Sequence, residues 1–463
     1  MRSLDRINDY VNLVCRQIRW KKAHNRISEE MLNHITDGRD SYIARGLDEQ
    51  AATEKAIADT GDAMIVGTEF DRVHRPKPQW SMFAWVAGFL LLGIFISVLV
   101  FDGTDISRRL LWTAIGAAVM LGAYFADFTL LGKYPKRVFF GAALTVWAVF
   151  FFYPWFDIGP ITVHLPRLFE SQPLHTTQVL ALILPIAFVP VIYIAKNKKY
   201  WGLISSLLAY GLLCLIAFSA PALSGFVHFA IIGMVLLIIA VLKNWFGVNR
   251  AIGILLVFVP YVIILAFMIV VYAQGSWIAT RISAVLNPHS DPMGFGFVAI
   301  QVRELLNNAV LFGEGAAPVV FPQAWFYSDF ILATVINRFG WLAFAIFMGV
   351  LLLFMGIVIS RCTKQKSGLG FFASIAIALT FFVQIFMYVI FNLGFTITHI
   401  SLPLISPGNF AMVINMGLIG FMLSVFRTGD AFVDKNVIPS TKQSDIFSWH
   451  NGKLTINFKM KAE

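Results

Sequence analysis

Asp329 is the residue in this chain best placed to do chemistry. It closes a segment of more than fifty residues, about 274–329, that separates two hydrophobic runs. That segment opens with Asp291-Pro292-Met293-Gly294-Phe295-Gly296 and ends with Ser328-Asp329-Phe330. The other connections between hydrophobic runs are shorter, so a long segment here points to function rather than mere linkage. A lone carboxylate where such a loop re-enters a membrane is a candidate for chemistry at the water–lipid boundary. The competing role for the same residue is a helix N-cap, which Ser328 and Asp329 would both perform well.

Other polar residues sit at similar transitions. Asp291 and its glycines have the composition of a turn opening the loop. Ser406-Pro407-Gly408 opens the last hydrophobic run, where exposed backbone amides could hold an anion. His175 lies in an earlier polar loop and could serve a substrate, on the evidence of one histidine. His228, inside an apolar run, has no second metal-ligand residue at helical spacing and reads as a packing residue. The chain has no CxxC, HExxH or Walker A pattern, so neither a zinc hydrolase nor a built-in ATPase has support.

The elements that must position these residues are apolar helices. The chain is 58% hydrophobic and 13% charged, with a mean hydropathy of +0.73, a balance a soluble domain could not carry without large exposed apolar patches. Runs long enough to cross a bilayer, roughly 20 residues each, fall at about 83–101, 110–131, 138–156, 178–195, 200–220, 223–242, 251–273, 330–359, 370–393 and 404–427. They lack the apolar–polar alternation of a membrane β-barrel. The expected fold is an all-α polytopic membrane protein of about ten transmembrane helices, with the long loop before the eighth.

Basic residues orient it. With the N-terminus inside, the cytoplasmic turns hold Lys133, Lys136, Arg137, Lys196, Lys198, Lys199, Lys243, Arg250, Arg361, Lys364 and Lys366. The opposite, longer connections hold only Arg108, Arg109, Arg167, Arg281 and Arg303. The positive-inside rule then places both termini in the cytoplasm and the long loop outside a bacterial cell membrane. The formal charge of +10 is mostly this topological signal plus a basic N-terminus; no basic stripe interleaved with aromatics suggests nucleic acid. The first apolar run starts too late for a cleavable signal peptide. Cys15, Cys214 and Cys362 fall in cytoplasmic or membrane positions, against a structural disulfide.

Residues 1–80 read as a separate cytoplasmic unit. Leu4, Ile7, Val11, Val14 and Ile18 form one apolar helical stripe. A second helix runs from about Ile27 to Arg45 with Gly46 as its stop, and Asp48 caps a third over Glu49–Ala58. Gly61-Asp62 breaks that helix. The unit resembles the permease-prefix domain of some bacterial membrane proteins through Glu30, His34, Arg45-Gly46-Leu47, Ala56-Ile57 and Gly61-Asp62. It is either a docking module for a cytoplasmic partner or a small bundle that stabilises the N-terminus. Residues 81–427 make the membrane domain, and 428–463 a polar cytoplasmic tail. In that tail Asn451-Gly452 sits between Phe447-Ser448-Trp449 and Leu454-Thr455-Ile456, a hairpin signal.

The C-terminal half carries an ordered set of motifs. These are Asp291, Pro292, Gly294 and Gly296; Ile300-Gln301; Leu311-Phe312-Gly313-x-Gly315; Pro322-x-Ala324; Asp329-Phe330-Ile331-x-Ala333; Asn392-x-Gly394; and Leu402-Pro403-Leu404-Ile405-Ser406-x-Gly408. Together with the topology they resemble the SEDS family of FtsW, RodA and SpoVE type. The resemblance implies an inverting glycosyltransferase that polymerises lipid-linked disaccharide–peptide units into peptidoglycan beside a class B penicillin-binding-protein-like transpeptidase. It also implies that Asp329 matches the essential aspartate. A base must then reach the acceptor hydroxyl within roughly 3 Å, and cationic groups or a divalent cation must offset the departing pyrophosphate. Arg281 and Arg303 are candidates for that charge, or are solvated loop arginines. Asp291, Gln301, Ser406 and Gly408 would shape or support the site, with His175 beside the substrate.

Several family positions differ. Gln323 takes an acid position and Trp325-Phe326-Tyr327 adds bulk before Asp329. Two acids of the eighth span become Asn337 and Arg338. A non-catalytic scaffold that recruits a transpeptidase is therefore a second reading; a lipid-precursor transporter is a third, with no clear internal repeat to support it. If the eighth span is one continuous helix, Arg338 lies about 14 Å below Asp329, near mid-bilayer and on the opposite side. There it is a functional cation or a structural one bonded within the bundle to groups such as Gln384 or Asn392.

Overall fold

The computed structural model describes residues 3–75, 78–101, 106–152, 180–219, 223–273, 277–316, 329–395, 400–406, 410–429, 447–450 and 453–456. His175 and Gly408 lie outside them, as do Gln323, Trp325-Phe326-Tyr327 and Ser328.

Helices α1 (Ser3–Gln17), α2 (His24–Ile43), α3 (Glu49–Thr60) and α4 (Ala63–His74) pack around a core of their own. Ile7, Val11, Val14 and Ile18 are buried in it together with Ile27 and Ile35, whereas Leu4, in the first turn, stays exposed. Gly46 and Gly61 take left-handed φ values of 95° and 100°, conformations that suit glycine and stop the preceding helices. The Asp48 carboxylate accepts from the Ala51 amide at 3.3 Å and caps α3. Asp62 accepts from Met64 at 2.8 Å and from Ile65 at 3.2 Å and caps α4.

An apolar helix occupies each of the ten expected intervals. They are α5 (Trp80–Phe101), α6 (Ile106–Phe125), then, after the short α7 (Leu130–Lys133), α8 (Pro135–Phe152) and α9 (Leu184–Ile194), followed by α10 (Lys199–Ser219), α11 (Leu223–Leu242) and α12 (Arg250–Ala273). After the long loop come α16 (Trp341–Thr363), α17 (Gly368–Asn392) and α18 (Phe410–Thr428), with α13 to α15 lying within or at the end of that loop. Among the described residues six helices are long and apolar enough to cross a membrane, and three shorter apolar ones accompany them. The protein is a multi-pass helical membrane protein.

The chain alternates between two ends of the bundle. At the end nearest α1–α4, Arg361 reaches Gln79 and Ser81, and the turns before α10 and α12 pair through Asn197 N–H to Trp245 O at 3.0 Å and Lys199 N–H to Phe246 O at 2.8 Å. The basic residues of this end lie over aromatic rings, Lys196 on Trp245, Lys243 on Phe371 and Arg427 on Tyr124. α6 and α18 approach most closely because Gly420 offers no Cβ toward the Met120 carbonyl, with which one would overlap.

The eighth span departs from expectation. It is two helices, α15 (Ile331–Phe339) and α16, broken at Gly340, whose φ of 88° cannot continue a helix. α16 alone is long enough to cross the membrane, so α15 is left at the loop end of the bundle. The loop before it contains α13 (Trp277–Leu286) and α14 (Phe297–Asn307). At the C-terminus β1 (Phe447–His450) pairs antiparallel with β2 (Lys453–Ile456), His450 opposite Lys453, the register a two-residue Asn451-Gly452 loop demands.

Candidate active site at the start of α15

α17 runs through the bundle interior and brings Tyr388 and Asn392, one turn apart on the same face, to the loop end. Both side chains grip the start of α15. The Asn392 carboxamide oxygen accepts from the amides of Leu332 at 3.1 Å and Ala333 at 3.2 Å, and the Tyr388 hydroxyl accepts from Ile331 at 3.2 Å. The Asn392 amide donates to the carbonyls of Asp329 at 3.1 Å and Tyr388 at 3.0 Å. The first amides of α15, which have no partner inside the helix, are thus satisfied by another helix. Asp329 gives its backbone carbonyl to this clamp.

Asp329 is half-buried. Phe330 beside it is fully buried and stacks on Phe391 with centroids 4.7 Å apart. Val302 and Leu305 of α14 close over that pair together with Ala333, a satellite core separate from the membrane interior. The long loop therefore folds into a roof that locks the Asp329-Phe330 corner against α17. The Tyr388 hydroxyl lies near both the Asp329 carboxylate and the Ser406 hydroxyl. Ser406 in turn accepts from the Leu402 amide at 2.9 Å. Asp329, Tyr388 and Asn392 form one hydrogen-bonded group, with Ser406 close by.

The remaining candidates divide. Asp291 is turned inward: its carboxylate accepts from the Phe295 amide at 2.8 Å and its carbonyl from Gly296 at 3.0 Å. A Cβ on Gly294 or Gly296 would collide with this turn, so the motif forms the entry to α14. Arg303 donates to the Val285 carbonyl at 2.9 Å and leans on Gly394, φ 89°, tying the end of α13 to the end of α17. It acts as a strut of the roof. Gln301 lies half-buried on α14. Arg281 is set against Phe295, and burial holds its guanidinium below the ordinary value.

Arg338 corrects the expectation drawn from a continuous helix. With the break at Gly340 it lies at the loop end rather than mid-bilayer. It is exposed and donates to the Leu99 carbonyl in the last turn of α5 at 2.7 Å, not to Gln384 or Asn392. Asn392 is fully engaged in the clamp, and Gln384 donates to Ser401 O at 2.9 Å. Asn337 faces the other way, donating to Leu305 O at 3.2 Å.

Sequence reasoning missed Arg109. Counted only as a loop charge, it is 3% exposed. It donates to the Ile405 carbonyl at 2.6 Å and to Ser97, and its Nε has no protein partner. Gly93 leaves the space it occupies, so Gly93 and Ser97, one turn apart on α5, were the legible signal. A buried cation thus sits against the carbonyl of the residue before Ser406. Among the described residues no three His, Cys, Asp or Glu side chains gather as a metal cluster.

The chain is similar to known proteins in sequence and in fold. A probable peptidoglycan glycosyltransferase FtsW of Trichlorobacter lovleyi is 24% identical over 166 residues, 34% of this chain and 43% of that protein. The match to this relative thus spans less than half of its length. A probable peptidoglycan glycosyltransferase FtsW of Geobacter sp. strain M18 is 25% identical over 333 residues, 69% of this chain and 86% of that one. In the solved structure of a peptidoglycan synthase complex, one chain superposes with a TM-score of 0.57 at 16% identity, over 77% of this chain and 99% of that chain, a likeness of fold. The family model for FtsW, RodA and SpoVE covers residues 82–430, from the first turn of α5 past the end of α18, and leaves α1–α4 outside. The chain belongs to the FtsW/RodA/SpoVE family of cell cycle proteins.

Proposed function

We propose that the protein is a peptidoglycan glycosyltransferase. It would extend glycan strands from lipid-linked disaccharide–peptide at the loop end of the bundle, with Asp329 as the base that takes the acceptor proton. The observation that carries this reading is the clamp. Tyr388 and Asn392 satisfy the amides of α15 and take the Asp329 carbonyl, so the half-buried Asp329 is held at a fixed position at the loop end of the bundle. The names of the relatives support the substrate class.

The leaving group is an anion, and the buried Arg109 supplies positive charge behind Ser406 to offset it. Where a divalent cation takes part, Asp329 is the carboxylate available to it, with substrate phosphates completing its ligands. The basic turns at the opposite end support a cytoplasmic location for that end and for both termini, so the reaction would occur at the outer face. The likeness to a chain of a peptidoglycan synthase complex supports a crosslinking transpeptidase as partner.

The non-catalytic scaffold is the second reading, favoured by Asn337 and Arg338, which make structural bonds where the family has two acids. Incubating the purified wild type with labelled lipid-linked disaccharide–peptide, with and without its co-purifying transpeptidase, separates the two. Glycan polymer is the expected product. Folded protein with its partner bound and no polymer would favour the scaffold.

A further inference from the structure

The turn 310–313 presents two large apolar side chains, Leu311 and Phe312, that are 75% and 79% exposed. Its backbone is nevertheless firmly seated. The amides of Trp341 and Leu342 donate to the carbonyls of Val310 and Leu311 at 3.1 Å each, and Gly313 donates to the Phe339 carbonyl at 3.4 Å. Gly340 packs so closely that a Cβ there would lie 2.6 Å from the Leu311 carbonyl oxygen. The turn is therefore fastened to the corner where α15 meets α16, and its exposed side chains are held in place.

From that corner α16 exposes Leu342, Ile346 and Leu353, at 47%, 62% and 58%. Spacings of four and seven residues put these three within about 40° of one another on the helix surface. On a membrane-spanning helix such a strip faces lipid. Leu311 and Phe312, bonded to the first turn of α16, continue the strip one step beyond the helix end. Phe339 and the last turn of α5, with Val98 and Leu99, expose further apolar surface at this level. The adjacent Glu314 is exposed and charged, marking where the apolar surface gives way to water. Aromatic and aliphatic side chains at such a level belong in the interfacial region of a bilayer.

We infer that the 310–313 turn is a lipid-inserted wedge. Leu311 and Phe312 enter the headgroup–acyl boundary and set the height of α15, and with it of Asp329, relative to the membrane surface. The occupant of this patch is the bilayer itself, and the inference stands whether or not Asp329 is a base.

The test uses the full-length chain in phospholipid vesicles. The three native cysteines are buried, so Phe312→Cys provides one reactive thiol for an environment-sensitive dye, with Leu311→Cys as a second site should the first disturb folding. Glu304→Cys, exposed on α14, is the comparison. At 312 and 311 the dye should show blue-shifted emission and strong quenching by lipids spin-labelled near the glycerol, with neither effect at 304. Water-like emission and no lipid quenching at 311 and 312 would overturn the inference. So would a blue shift that requires an added protein partner, which would assign the patch to that partner.

Discussion

At the residue scale the site depends on Asn392 more than on any other uncharged side chain. It makes bonds to four backbone groups at once, and its loss leaves the amides of Leu332 and Ala333 buried without acceptors. Asn392→Leu is expected to cost about 2–4 kcal/mol, read as a lowered melting temperature and as faster amide exchange confined to 330–335. An exchange pattern unchanged from wild type would contradict the clamp. Arg338→Leu is expected to be mild. One hydrogen bond from an exposed side chain to Leu99 O is at stake, worth about 1 kcal/mol or less, so the melting temperature should barely move; a collapse of expression would contradict an exposed Arg338. Asp329 stood out in the sequence through the Asp329-Phe330-Ile331-x-Ala333 resemblance, because a carboxylate at a loop–membrane transition serves equally well as a helix cap. Arg109 was passed over, because its position counts it among the loop charges and its signal, the small Gly93 and Ser97 that receive it, lies on another helix.

At the element scale the break between α15 and α16 determines where the chemistry sits. Apart from Asn337-Arg338, the apolar run continues through Gly340, so the sequence reads as one long span. What divides it is a left-handed glycine wrapped by the Leu311-Phe312-Gly313 turn, a contact between segments some thirty residues apart. Gly340→Ala would place a Cβ against Leu311 O in a conformation that costs about 1–3 kcal/mol by itself. It is expected to lower the melting temperature by several degrees and to expose 310–316 to proteolysis; a neutral outcome would mean that α15 and α16 can run on as one helix. The other spans were legible because each is a continuous apolar run, and the turns between them because basic and left-handed residues such as Asn197, Lys199 and Asn244 cluster there.

At the scale of the whole molecule a small helical unit precedes a large membrane bundle. Since α1–α4 bury Ile7, Val14, Ile27 and Ile35 in a core of their own, residues 1–75 expressed alone are expected to melt cooperatively by far-ultraviolet circular dichroism. A gradual loss of helix would show that the bundle is needed to hold them. The apolar stripe of α1 was enough to foresee that unit; whether it docks a partner was not readable, because a stripe that fills a core and one that meets a partner look alike in sequence. The bundle itself positions the half-buried Asp329 where Tyr388 and Asn392 of α17 grip the start of α15. The most direct measurement is polymer formation by Asp329→Asn beside wild type, each in complex with its transpeptidase, with the melting temperature taken on the same samples. Loss of polymer from a protein that melts within a few degrees of wild type is the result expected if Asp329 is the base. Equal polymer yield from a folded Asp329→Asn protein would contradict the assignment of Asp329.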